Sequence, residues 1–196
     1  MIDLTAYKCS AGIPALMSRA AIMEPVGQGV SQRLGRVGDR FRIDFTIVPM
    51  ELESDGRRAI ADLQMAQAEG GRVIYPQPGF AIGTPGAPTV DGAHTGGTAL
   101  AITGATPHYA VRKGQALNLI VSGRYYLYFA AANAILDENG AGTVTLTTPM
   151  RKHMAGGETV VLAKPVIEGW LDGNERNWTI DNTRTVGLQF TVTERG

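Results

Sequence analysis

The chain has 196 residues, of which 44% are hydrophobic, so it can bury one core, or one core with a small inserted module. Eighteen basic and eighteen acidic side chains give a formal net charge of zero. This balance argues against a nucleic-acid partner, because that affinity is mostly electrostatic. The single cysteine, Cys9, excludes an internal disulfide and a multi-cysteine metal site, and it suits a reducing compartment.

The first ten residues lack a basic start followed by an apolar run, so we expect no signal peptide. The longest uncharged apolar stretch, residues 125–136, is about half the length that a membrane-spanning helix needs. We therefore expect a protein without a membrane span.

The clearest element of the N-terminal part is a strand over residues 41–48, in which apolar residues alternate with mostly polar ones. Weaker strand patterns cover residues 15–23 and 29–34, on either side of a turn at residues 25–27. We expect these three segments to form an antiparallel meander.

One helix is predicted over residues 54–69. Ser54 can cap it, Asp55 lies near the positive end of its dipole, and two glycines, Gly70 and Gly71, stop it. Apolar residues recur at helical spacing, so one face should lie on a sheet. The residues of that face are Ala59, Ile60, Leu63 and Ala66.

After a short strand at residues 72–75, the chain is rich in Pro and Gly up to Thr98, which indicates a long connection. Short strands with tight turns then follow, enough for a small OB-like barrel. The turns are at 137–140 and 156–157; the strands are 99–103, 116–121, 124–129, 142–148 and 158–163.

Alternating strands return at the C-terminus, at residues 177–181 and around Leu188, Phe190 and Val192. They can pair with the first sheet. The predicted fold is therefore mainly β: a split, sandwich-like core with one helix, and an inserted small β-barrel. We assign residues 1–87 and 156–196 to the core, and residues 88–155 to the barrel.

The aromatic run 125–129 has two faces. We expect Tyr125, Leu127 and Phe129 to fill the barrel. Tyr126 and Tyr128 would then face outward, where they could bind a sugar or another subunit. The alternative is that neighbouring strands cover both faces. Trp178 is predicted to be a core residue. Trp170 lies between two glycines, which predicts a loop position suited to an interface.

The C-terminal half contains, in this order, the segments VSGRYYLYFAA, DENGAGTVTLTTPMR, GGETVVLAKP, NERNWTID and GLQFTVTE. Together they resemble the distal tail proteins of siphophages and prophages. The matching positions are Gly123-Arg124, Asp137 with Gly140 and Gly142, Pro149-Met150-Arg151, Gly156-Gly157, Trp178, and Phe190 with Glu194. A weaker match is Val48-Pro49-Met50, where similar proteins often carry two prolines before the methionine.

The resemblance implies a structural virion protein, made in the host bacterial cytoplasm and placed at the tail tip. It implies a homo-oligomeric ring, usually hexameric, between the tail tube protein and the tail hub protein. Peripheral tail fibres or a cell-surface glycan would be further partners. We take Met50, Tyr126, Tyr128, Arg151 and Trp170 as candidate contact residues.

No pattern indicates catalysis, a cofactor or a metal site, so we expect no enzyme. The three histidines lack metal-ligand spacing. The acidic residues 51–55 fit the helix dipole, and residues 137–140 lack the remaining ligands of a calcium loop. Alternatives are another tail component (a tube, terminator or minor tail protein), a carbohydrate-binding module, or a small hydrolase.

Overall fold

A computed structural model describes residues 1–24, 29–34, 38–173, 178–180 and 184–195. It is mainly β with one α-helix, as the sequence predicts. The helix α1 spans Arg57–Glu69. In chain order, the strands are β1 (Ile2–Asp3), β2 (Cys9–Met17), β3 (Ala21–Met23), β4 (Gln32–Leu34), β5 (Arg40–Ile47), β6 (Met50–Glu51), β7 (Gly71–Ile74), β8 (Gly86–Val90), β9 (Ala99–Ala105), β10 (Ala110–Val111), β11 (Ala116–Val121), β12 (Arg124–Phe129), β13 (Ala134–Ile135), β14 (Gly142–Thr145), β15 (Thr159–Val161), β16 (Val166–Leu171), β17 (Trp178–Ile180) and β18 (Thr185–Glu194).

The first sheet has the strand order β1-β7-β16-β18-β5-β2, with β6 and β17 also paired to β18. Its central pair joins the N- and C-terminal parts of the chain, because β5 and β18 are antiparallel from Thr46–Gln189 to Arg42–Thr193. The alternating apolar residues of both strands point inward, as predicted. These buried residues are Phe41, Ile43, Phe45, Ile47, Val186, Leu188, Phe190 and Val192.

Helix α1 packs on this core through Ala59, Leu63 and Ala66, which confirms most of the predicted face. The predicted cap at Ser54 is wrong. A π-helical turn, Leu52–Gly56, precedes α1, so Ser54 lies within that turn and makes no capping bond. The Leu52 amide donates to the carbonyl of Arg184, and this bond starts the turn earlier than the side-chain pattern suggests.

The second sheet has six strands in the order β12-β11-β15-β8-β9-β14. It curls into a half-barrel, and one isolated bridge, Ala130 with Leu146, joins its two edges. The sequence pattern predicts five of these strands with close bounds, whereas β8 lies in the Pro- and Gly-rich segment that was predicted to be a connection. Strand β15 pairs with β8 and β11, so residues 159–161 belong to this sheet, as the predicted barrel strand 158–163 implies, and the predicted boundary at residue 156 lies too early.

The turn at 137–140 is confirmed. Asp137 Oδ1 accepts from the amides of Asn139 and Ala141, each at 2.8 Å. Gly140 has φ +69°, and a Cβ there would lie 1.9 Å from the carbonyl oxygen of Ala105. The turn therefore requires glycine both for its backbone conformation and for the close approach of β9.

The predicted N-terminal meander is wrong in its pairing. Strand β2 pairs with β5, whereas β3 and β4 pair only with each other as a separate two-stranded ribbon. The expected turn at 25–27 lies outside the described residues. Short strands separated by polar linkers leave the partner of each strand undetermined by local pattern alone.

Candidate interaction surfaces

Tyr126 and Tyr128 point into the second sheet's core, with relative exposures of 4% and 1%, so the prediction that they face outward is wrong. Leu127 and Phe129 point the other way, into the first core. The ring of Phe129 lies 4.9 Å from that of Phe41, edge to face. Strand β12 is thus covered on both sides, the alternative that the sequence left open. Alternation separates two faces, but it does not tell which core each face joins.

Arg151 forms a buried ion pair with Glu194. Its two terminal nitrogens lie 2.6 and 2.7 Å from the two carboxylate oxygens, and the side chains are 5% and 1% exposed. Burial disfavours the charged guanidinium, but the hydrogen bonds and charge of Glu194, with a contribution from Tyr128, outweigh it and raise the pKa of Arg151. Arg151 is therefore not an exposed contact residue, which corrects the sequence-based prediction.

The same ion pair joins three strands. Glu194 on β18 also accepts from the backbone amides of Leu127 at 2.7 Å and Phe41 at 3.2 Å. Arg151 donates to the Leu127 carbonyl at 2.9 Å, and its amide donates to the Tyr128 hydroxyl. The ion pair is bidentate, and both of its side chains make further hydrogen bonds to backbone groups. These contacts fix the two sheets against each other.

A second polar contact crosses between the sheets at Asn118, whose side chain is fully buried. Its amide nitrogen donates to the Val166 carbonyl at 2.8 Å, and its oxygen accepts from the Val166 amide at 2.6 Å. The Asn118 side chain thus makes, with the first residue of β16, the two hydrogen bonds that a neighbouring strand would make. We call Asn118, Leu127, Arg151, Val166 and Glu194 the joint.

The outer face of the first sheet is open and concave, with a volume of about 950 Å³. We call this surface the trough, defined by Ile13, Arg42, Asp44, Asp172, Trp178, Gln189 and Thr191. On its floor the Thr191 hydroxyl donates to Asp44 at 2.6 Å, and Arg42 lies 3.6 Å from Asp44. Its rim is apolar at Ile13, which is 68% exposed.

Both tryptophans lie on the first sheet and are partly exposed. Trp170 is 43% exposed under the guanidinium of Arg195, which lies 4.4 Å from the ring centre. It is part of strand β16 and not of a loop, contrary to the prediction, and its role as a contact residue stays a prediction. Trp178 is 37% exposed, so the prediction of a core residue is wrong. Its strand, β17, pairs along β18, and Trp178 and Thr179 line the trough.

The chain between Leu16 and Leu34 carries large apolar side chains that nothing in the described part of the chain covers. We call them the apolar arm: Leu16 (51% exposed), Met17 (47%), Ile22 (69%), Met23 (56%), Val30 (87%) and Leu34 (44%). Two of the six belong to the edge strand β2, and three to the ribbon β3–β4. A two-stranded ribbon is only marginally stable by itself in water, and clustered exposed apolar side chains are typical of surfaces that contact protein.

Met50 lies in a small cleft of about 290 Å³ beside Tyr7, Lys8, Asp55 and Arg58. The Tyr7 hydroxyl donates to Asp62 on α1. Burial, then this hydrogen bond and the carboxylate charge, raise the pKa of Tyr7 to about 12. Met50 lines this cleft and stays a candidate contact residue.

Within the described residues, no group of three or more His, Cys, Asp or Glu side chains is arranged to hold a metal ion. In the same part of the chain, no helix is long and apolar enough to cross a membrane. Neither protein-family models nor curated proteins give a match to this chain.

Proposed function

We propose that this chain is a structural component of a phage tail, a distal tail protein that forms a ring between the tail tube and the tail hub. The observation that carries the proposal is the apolar arm, because six exposed large apolar side chains within one stretch of chain favour permanent contacts with protein. The resemblance of the C-terminal segments supplies the kind of assembly.

The joint supports the same proposal. Two resemblance motifs, Pro149-Met150-Arg151 and Phe190 with Glu194, contribute the two members of the buried ion pair. They are thus explained by fixing the inserted sheet to the core. An insert held rigidly in this way can carry neighbouring tail parts at a constant angle.

The carbohydrate-binding alternative has lost its main support. It depended on an outward pair of tyrosines, and both are buried. Tube and terminator proteins remain alternatives within the same structural class, because a ring-forming β protein is compatible with each of them.

Native mass spectrometry and negative-stain imaging of the purified chain, alone and with tail extract, test the proposal. We expect closed rings of one copy number that attach at one end of the tail tube. Stacking of the rings into long tubes would favour a tube protein instead. A single subunit at all concentrations, with no binding to tails, would contradict a role in tail assembly.

A further inference from the structure

We propose that the apolar arm of one copy of this chain lies in the trough of the next copy. The contact is then head-to-tail: each copy presents one arm and one trough, and the chain of contacts closes into a ring. The inference rests on the proposed ring and names the surfaces that form it.

The size of the arm fits an interface between copies. With about 200 Å² for a fully exposed large aliphatic side chain, the six exposed fractions sum to roughly 700 Å², near the ~800 Å² that one partner gives to a standard interface. A contact of this size is sufficient for a stable association. The same surface left in water would promote aggregation.

Charge favours the trough as the receiving surface. Residues 16–34 hold two arginines and one glutamate, a net charge of +1, whereas the charged residues that line the trough are Arg42, Asp44 and Asp172, a net charge of −1. An arm packed against another arm would instead bring like charges together. Electrostatic complementarity of this kind selects the partner surface and fixes its register.

The chemistry of strand β2 argues against simple extension of the sheet from one copy to the next. β2 is an edge strand, but Pro14 removes one backbone donor from it, and the register shifts between Cys9 and Ala11. Proline and bulges on edge strands prevent continuous strand addition. Contact through the side chains of the arm is therefore favoured over a continuous backbone ladder.

A mixing experiment tests the head-to-tail contact. The arm variant carries Ile22→Ser and Met23→Ser; the trough variant carries Ile13→Ser and Gln189→Lys. Each variant alone should lose the ring, since one half of every contact is damaged. Mixed at equal concentration, they keep one intact contact per pair, so native mass spectrometry should show a 1:1 heterodimer. The control, Ile135→Ser, changes a residue that is 77% exposed on the insert and should form rings like the unchanged chain.

The outcomes separate the two proposals. If the unchanged chain forms rings and the arm variant does too, or if the mixture gives no heterodimer, the arm-to-trough contact is wrong while the ring proposal stands. If the unchanged chain stays monomeric at every concentration, the ring proposal itself fails. Thermal melts check folding. Where a double variant does not fold, Val30→Ser and Gln189→Lys alone replace it, because both side chains are exposed.

Discussion

The joint buries charged side chains, whereas the apolar arm exposes large apolar ones. In the joint, two charges are withdrawn from water, and neighbouring groups satisfy them: Glu194 accepts from Arg151 and from the amides of Phe41 and Leu127. In the arm, apolar side chains such as Ile22 and Val30 remain in water at 69% and 87% exposure. Polar groups are buried where the chain completes its own structure, and apolar groups are exposed where, on our account, another copy completes it.

The comparison separates stability from assembly. The joint contributes free energy within a single copy, because its partners are all in the same chain. The arm contributes less to the folding of one copy, because its side chains stay 44–87% exposed. Changes in the two regions should therefore affect different measurements. Substitutions in the joint should lower the free energy of unfolding, whereas substitutions in the arm should lower the mass of the assembly.

The largest effect is expected from breaking the ion pair of the joint. Glu194→Ala leaves a buried guanidinium without its partner, which costs about 3–5 kcal/mol of unfolding free energy. Chemical denaturation monitored by tyrosine and tryptophan fluorescence measures the loss. Arg57 and Glu53 provide the control, since they approach to the same 2.6 Å but are 67% and 69% exposed.

The exposed pair Arg57–Glu53 should contribute at most about 0.5 kcal/mol to the free energy of unfolding, because water screens it. A double-mutant cycle with Arg151→Met isolates the coupling energy in the joint. Equal losses from Glu194→Ala and Glu53→Ala would show that burial of the pair does not matter and would contradict the role of the joint.

Asn118→Leu should give the second largest effect. The change leaves the amide and the carbonyl of Val166 buried without partners, at about 1–3 kcal/mol for each group. Asn133 is the matched control, because its side-chain oxygen also accepts from a backbone amide, that of Lys113 at 2.8 Å, but it is exposed. Urea denaturation compares Asn118→Leu with Asn133→Leu. Indistinguishable midpoints would mean that Asn118 does not tie the sheets together.

Tyr7 is half-buried and belongs neither to the joint nor to the arm. Because the fold raises its pKa from 10 to about 12, the neutral phenol stabilises the fold below pH 10, and this contribution is lost as the pH rises through about 12. Tyr7→Phe removes the titrating group and should flatten the fall in stability over that window. Melting temperatures at pH 8–12 test this, and an unchanged pH profile would contradict it.

The smallest effect on stability is expected in the arm. Val30→Ser removes a side chain that is 87% exposed, so the unfolding free energy of one copy should change by no more than about 0.5 kcal/mol. Sedimentation velocity of the same sample should nevertheless show weaker assembly. A large loss of stability without any change in assembly would reverse the assignment of the two regions.

Much of the fold follows from local sequence pattern. Period-two alternation predicted β5 and β18, and helical spacing predicted the packed face of α1. The pairing of the C-terminal strands with the first sheet was also predicted, but the polar side-chain contacts between distant segments were not predictable in this way. Arg151 and Glu194 are 43 residues apart, and neither has a neighbour pattern that points to the other.

The prediction of which β12 side chains face outward was wrong for a related reason. Tyr126 and Leu127 are both apolar enough to be buried, and only the position of the first core beside the second sheet decides which way each points. The exposed arm could not be predicted either, because the apolar residues of an uncovered ribbon resemble those of an ordinary strand. Whether such residues are covered or exposed depends on how the whole chain packs.

Hydrogen–deuterium exchange over a dilution series tests the central contrast most directly. Amides of the joint, such as those of Leu127 and Val166, should be protected to the same extent at every concentration, because their partners lie within one copy. Amides of β3 and β4 should gain protection only as copies assemble. Protection of β3 and β4 that does not change with concentration would contradict the claim that a second copy covers the arm.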